Sequence, residues 1–171
     1  MSIAINQIVN ANVYLNGNSL LGKAKEVKLP DIEFEQIEHK SLGLIGTIKL
    51  PAGLNALQAE ITWQSFYPDI RRQNYNPMKN QQLMIRSNLQ AFNSQGLIDE
   101  QSMVTIMNVQ FSKTTGGSIK PKEATEHQDT CEVYSIKQSV GGKEILFYDA
   151  FANILRIDGK DVLQKYRTNI G

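Results

Sequence analysis

Residues 24–38, AKEVKLPDIEFEQIE, and residues 56–65, ALQAEITWQS, decide the fold. In the second stretch Leu57, Ala59, Ile61 and Trp63 point one way and Gln58, Glu60, Thr62 and Gln64 the other, the period-two pattern of a strand with one buried face. In the first, Val27 and Leu29 have odd parity, Ile32 and Phe34 even parity, and Pro30 lies between them. Proline has no N–H for a ladder and is tolerated at edges and bulges. A bulge at Pro30 shifts the pattern by one residue and keeps both apolar sets on one face. The two stretches therefore predict a long hairpin whose outward side carries Asp31, Glu33 and Glu35. Lys40 to Gly53 joins its arms. With Gly43, Gly46, Pro51 and Gly53, that connection exceeds a tight turn and is expected to project.

Working outward, alternation dominates and helical periodicity is rare. Candidate strands are residues 82–92, 103–112, 130–139 and 143–157. Gly116-Gly117, Gly141-Gly142 and Asp158-Gly159 separate apolar-rich runs and supply the positive φ angles of tight turns. Gly141-Gly142 reads as a two-residue hairpin. Pro68 and Asp69 open, and Pro77 closes, a stretch that predicts a short helix from about Pro68 to Tyr75. A second short helix or turn is expected over Asp161–Arg167, and Ser112–Gln128 is the most polar segment, a surface loop. The fold class is mainly β: a sandwich or barrel with a short flanking helix and a long projecting hairpin.

The 171 residues fit one domain, residues 1–171, with a real core. Lys and Arg number 18 against 17 Asp and Glu, a net charge of +1, which argues against a generally basic nucleic-acid binder. One cysteine, Cys131, excludes an intrachain disulfide framework, and with only His39 and His127 beside it a structural zinc site is not expected. No run approaches the roughly 20 apolar residues of a membrane helix. Met1–Leu15 lacks the basic and small-residue marks of a secretory leader, so synthesis in the cytoplasm, with no membrane insertion, is the expectation.

The chain holds no G-x-x-x-x-G-K-[ST], G-x-G-x-x-G or G-x-S-x-G motif. Cys131 with His127 as base would be a nucleophile pair, but four residues along a strand place them about 13 Å apart, and a buried inert thiol is the expectation. Both histidines read as solvated loop residues. Asp99-Glu100 and Asp158/Asp161 lie beside turn residues, where carboxylates serve the backbone. Arg71-Arg72 reads as the solvated face of the short helix or a subunit contact, and Trp63, between Ile61 and Phe66, as core. One feature remains: residues 24–39 hold two lysines against five carboxylates, a local charge of −3, on the polar side of a hairpin whose edges no other strand obviously covers.

Three blocks resemble the major tail tube protein of contractile-tailed bacteriophages, the family that also includes R-type pyocin tubes. The first is Asn12-Val13-Tyr14-Leu15-Asn16-Gly17 with Gly22-Lys23-Ala24-Lys25 and Val27-Lys28-Leu29-Pro30. The second is the Gly43–Gly46 tip, Gly53-Leu54 and Glu60-Ile61-Thr62-Trp63. The third is Ile157-Asp158-Gly159-Lys160-Asp161, Leu163 and Arg167-Thr168-Asn169-Ile170-Gly171. A loop of the family is also similar to Lys120–Glu126, although Lys122 and Ala124 stand where glycine and an acid are usual, and residues 66–110 match least.

The resemblance implies a β-sandwich or barrel of which six copies form a ring, with rings stacking into a rigid tube inside a contractile sheath; in phages DNA passes through it. About four wall strands per subunit, spaced about 4.8 Å apart, give a backbone bore diameter of about 37–48 Å, wide enough for a duplex. Closure into a ring also removes bare strand edges. A bore that passes DNA without sequence-specific binding is expected to be polar and not basic. Glu33, Glu35, Gln58, Glu60, Thr62 and Gln64 are the expected lumen-facing residues, and Lys40, Ser41, Leu42, Gly43, Leu44, Ile45, Gly46 and Thr47 the expected inter-ring contact. Implied partners are further copies of the chain, the tail sheath protein, a baseplate initiator and a tape measure protein. The tube belongs to the virion tail, assembled in the bacterial host cytoplasm, with no cofactor and no metal. A type VI secretion-like tube subunit shares the architecture, a monomeric ligand-binding barrel predicts an apolar interior pocket, and an enzyme has the least support.

Overall fold

A computed structural model describes residues 3–171. Its elements run β1 (Ile5–Leu15), β2 (Asn18–Ser19), β3 (Ala24–Lys28), β4 (Phe34–His39), β5 (Ile48–Leu54), β6 (Leu57–Trp63), α1 (Pro68–Asn74), β7 (Gln81–Asn93), β8 (Gly96–Thr114), β9 (His127–Val140), β10 (Lys143–Asp149), β11 (Ile154–Ile157), β12 (Lys160–Asp161) and α2 (Gln164–Ile170). The chain is mainly β and antiparallel. Ten strands form one sheet in the order β12-β11-β10-β9-β8-β7-β1-β2, with β6 and β3 branching from β9. One edge of β9 is covered by β8; the other pairs with β6 over His127–Val133 and with β10 over Ser135–Val140.

The sheet curls so that β1, β6, β7, β8 and β9 turn their apolar parity onto a common core. Trp63, Ile61, Leu83, Met107 and Val109 are almost wholly buried there. Removing side chains of this size from water contributes about 1.5–3 kcal/mol each. Ile70 of α1 adds to the same core. Gly141 (φ 56°) and Gly142 (φ 81°) turn β9 into β10 with both central residues at positive φ, the geometry that matches strand twist. Asp158 (φ 50°) and Gly159 (φ 77°) do the same between β11 and β12.

The expected long hairpin divides in two. Its lower part pairs as read, with Val27 opposite Ile61 and Lys28 opposite Glu60. Beyond Lys28 the strand stops. Pro30 is buried, residues 29–33 form no ladder, and the chain restarts as β4, which among the described residues pairs only with β5 in a separate two-stranded sheet. Pro30 therefore ends the strand instead of bulging it, because its ring both lacks the N–H and fixes φ. Ile32 and Phe34 are 39 % and 42 % exposed and do not join the core face of Val27. Lys40–Gly53 is correspondingly not a loop, since most of its second half is strand β5. Residues 143–157 divide into β10 and β11 around a turn at 150–153, where Ala150 N–H donates to Tyr134 O at 2.9 Å. The helices follow expectation, α1 ending one residue early and α2 shifted to Gln164–Ile170.

Candidate functional site

Strand β6 builds the first surface. Gln58, Glu60 and Thr62 stand on its outer face, opposite Glu132, Thr130 and Gln128 of β9. The carboxylates are held sideways by neutral donors. Gln58 Nε2 donates to Glu132 Oε1 at 3.0 Å, Ser112 Oγ donates to the same oxygen at 3.2 Å, and Gln128 Nε2 donates to Glu60 Oε2 at 3.0 Å. Cross-strand pairs of this kind tie a polar face without leaving an uncompensated charge. Glu33 reaches this face from outside any strand. With Lys28, Asp31, Gln58 and Glu60 it lines a cleft of about 190 Å³ at the foot of the hairpin.

Glu35 and Gln64 do not share that face. Glu35 sits on β4 opposite Gly53, and Gln64 lies beyond the end of β6, its N–H donating to Lys23 O at 3.0 Å. Glu33 and Glu35 joined the expected set because 24–38 was read as one strand, which stops at Lys28, and Gln64 joined it because the alternation of 56–65 was carried one residue past the strand end at Trp63.

The β4–β5 hairpin is the second surface. It leaves the main sheet through residues 29–33 and 55–56, clamped where Asn55 N–H donates to Glu33 O at 2.9 Å. Lys40–Thr47 forms its tip; Gly43 (φ 89°) allows the turn in which Leu44 N–H donates to Ser41 O. Leu42 and Ile45 are fully exposed there. Along the stem Ile37 lies opposite Leu50 and His39 opposite Ile48, so these four side chains share one face, while Glu38 and Lys49 face the other way and pair loosely at 3.9 Å.

Sequence reasoning missed a buried polar hub behind the first surface. Asp129 is fully buried. Its Oδ1 accepts from Arg71 Nη1 at 2.7 Å, and its Oδ2 accepts from Trp63 Nε1 and Asn74 Nδ2, each at 2.8 Å. Arg71 Nη2 also donates to Thr115 O at 3.0 Å. Arg71 is thus neither a solvated helix residue nor a free subunit contact: it pins α1 and the start of the 115–126 loop to the sheet. Arg72 beside it is exposed. His127 is likewise buried, its Nδ1 3.2 Å from Thr115 O and its ring edge-on to Phe66, where a solvated loop residue was expected. The available signal was parity. His127 and Asp129 fall on the same side of β9 as Cys131 and Val133, and a charge on a buried parity needs a buried partner.

The remaining candidates have structural surroundings. Cys131 is buried against Ala59 O, and burial pushes its thiol up to about 12. Amide donors from Gln90 and Asn88 hold Glu100 below the usual carboxylate range. The Arg167 guanidinium does the same for Asp161, and Asp158 pairs with Lys143 at 3.0 Å. Among the described residues no group of three or more His, Cys, Asp or Glu could hold a metal ion, and no helix is long and apolar enough to cross a membrane.

The described residues thus present a tightly buried core, a laterally tied polar face and a two-stranded ribbon with an exposed apolar face. The fold is that of contractile-machine tubes. It matches a chain of an extracellular contractile injection system, the PVC sheath–tube complex in the extended state, with TM-score 0.56, 14 % identity, and coverage of 75 % of this chain and 87 % of that one. A chain of the anti-feeding prophage tube-terminating cap matches with TM-score 0.56, 16 % identity and the same coverage. The family model of phage tail tube protein FII matches residues 5–171, and the chain belongs to that family. The tail tube protein of Escherichia phage P2 is 25 % identical over 162 residues, 94 % of either chain. The chain is accordingly a phage tail tube protein, of a family whose role is structural.

Proposed function

We propose that residues 1–171 act as one tube domain, that six copies close into a ring, and that stacked rings form the inner tube of a contractile tail. The observation that carries this is the β4–β5 hairpin, a ribbon whose two outer edges pair with no strand among the described residues and whose apolar face is exposed, on a chain of the tail tube family. Such a ribbon is stable only when something covers it, and in a tube the neighbouring copy does so. The tip, Lys40–Thr47, contacts the next ring. Gln58, Glu60 and Thr62, with Glu33 beside them, face the bore and keep it polar so that DNA slides without sequence-specific binding; Glu35 and Gln64 belong to the hairpin and the strand end.

The outer wall meets a tail sheath protein, consistent with the sheath–tube complex of the PVC relative. A baseplate initiator and a tape measure protein set where the tube starts and how long it grows. Assembly takes place in the host cytoplasm and the product resides in the virion tail. Electron microscopy of the purified protein, alone and seeded with tail baseplates, tests the reading. Hollow tubes with sixfold end views are expected; a 19.2 kDa monomer under both conditions would refute it.

A further inference from the structure

Asn16-Gly17 is the one Asn-Gly dipeptide in the sequence. In such a pair the glycine nitrogen can attack the asparagine side chain, because glycine has no Cβ to shield it. A bond forms from Gly17 N to Asn16 Cγ, the bond from Cγ to Nδ2 breaks, and ammonia leaves. Solvent water then opens the resulting succinimide to aspartate or isoaspartate. Nothing lies within 4 Å of where a Cβ of Gly17 would stand, and Asn16 is exposed, so neither crowding nor lack of water opposes the reaction.

The side chain is nevertheless held through both its oxygen and its nitrogen. Asn16 (φ 49°) and Gly17 (φ 82°) make the tight turn from β1 into β2. Gln82 N–H donates to Asn16 Oδ1 at 2.9 Å, and Asn16 N–H donates to Gln82 O at 2.8 Å. Asn16 Nδ2 donates to Gln73 Oε1 at 2.8 Å and, more weakly, to Gln81 Oε1 at 3.4 Å. Gln81 is buried and is itself fixed, its Nε2 donating to Gln73 O at 3.0 Å. Gln73 lies on α1, and Gln81 and Gln82 on β7. Bonds on both ends of a carboxamide set its plane, so Asn16 Cγ turns toward Gly17 N only once they break.

We propose that Asn16 is a latent deamidation site, kept closed by the carboxamides of α1 and β7, and that it reacts in chains where α1 has lifted from the β1–β2 turn. The product marks such chains in one direction. An ionised aspartate or isoaspartate side chain only accepts hydrogen bonds, and it would meet Gln73 Oε1 and Gln81 Oε1, which are acceptors too. Turning the Gln81 amide over would give up its bond to Gln73 O. The link from the turn to α1 is then lost, while the Arg71–Asp129 pair that also holds α1 is untouched. The inference needs no second copy and goes beyond the tube reading.

Peptide mapping tests it. The full chain is incubated at mildly alkaline pH, folded and unfolded in urea, and the tryptic peptide ending at Lys23 is scored by mass spectrometry for aspartate and isoaspartate at position 16. Conversion is expected to be about tenfold or more slower in the folded chain. Gln73→Leu removes the acceptor at an exposed site and is expected to speed folded-state conversion about threefold or more. Gln73→Glu keeps an acceptor oxygen and is expected to leave the slow rate in place. So is Arg72→Ala, an exposed change on the same helix with no bond to Asn16. A folded chain that converts as fast as the unfolded one would overturn the proposal. So would a Gln73→Leu chain no faster than the native one, or equal acceleration by Arg72→Ala, which would trace the effect to helix stability and not to the bond.

Discussion

Two neighbouring stretches with the same alternating pattern meet opposite fates. In β3 and β6 the apolar parity of Val27, Leu57, Ile61 and Trp63 turns onto the core, and β6 is paired on both edges. In β4 and β5 the apolar parity of Ile37, Ile48 and Leu50 is left exposed by the described residues. Alternation reports that a strand has an apolar face. It does not report whether the covering surface belongs to the same molecule. The difference between the regions is therefore one of ownership: the core residues are buried by the chain itself, and the hairpin's apolar face is left exposed, for siblings to cover under the proposed assembly.

The hub at Asp129 tests the self-sufficient region most severely. Asp129→Ala leaves Arg71 buried without its counter-charge and is expected to cost about 3–5 kcal/mol in urea unfolding; a loss below about 1 kcal/mol would show that α1 is not held through this pair. Next comes a matched pair. Ile61→Ala is expected to cost about 2–5 kcal/mol, whereas Ile37→Ala is expected to shift the unfolding of the isolated chain by no more than about 0.5 kcal/mol while strongly reducing tube yield. Equal losses of stability at the two sites would erase the distinction between the regions.

Cys131 gives a smaller, pH-dependent signal. Its thiol lies at about 12 in the folded chain and near 9 when exposed. Between those values the unfolded chain loses a proton that the folded chain keeps, so stability falls as the pH rises above about 9. Cys131→Ala is expected to flatten that fall in urea midpoints measured across the range. The smallest effect is at Glu144, whose carboxyl is held low by the Arg156 guanidinium that donates to both its oxygens. A lowered carboxyl stabilises above its unfolded range, and that contribution is lost as the pH falls below about 4.5. Glu144→Gln should remove a slight part of the acid-side slope.

Much of this architecture was legible from residues. The β6 alternation placed Trp63 and Ile61 in the core, and Gly141-Gly142 placed a hairpin, because both rest on local rules. Pro30 misled because a missing N–H is compatible with a bulge and with a strand end, and only tertiary packing chooses. Ile5–Leu15, which carries Asn6, Gln7, Asn10 and Asn12, was not singled out as a strand although it forms β1. Beyond its pairing with β2 at Tyr14 and Leu15, one edge of β1 meets no strand among the described residues, so no second partner imposes a clean pattern on it. The Asp129 hub was hidden because Arg71 and Asp129 are 58 residues apart and each looks solvated alone. Of the two surfaces, β6's outer face was read directly; Glu35 was attached to it by a strand continuity that stops at Lys28, Gln64 by alternation carried past Trp63, and Glu33 reaches it although it lies in no strand.

The central claim is that the hairpin belongs energetically to the assembly. Amide hydrogen exchange on dissociated and tube-assembled protein tests it most directly. Amides of residues 34–54 are expected to exchange quickly in the free chain and about tenfold or more slowly in tubes, while those of β6 and β9 stay slow in both. Hairpin amides that exchange at the same rate before and after assembly would contradict the account.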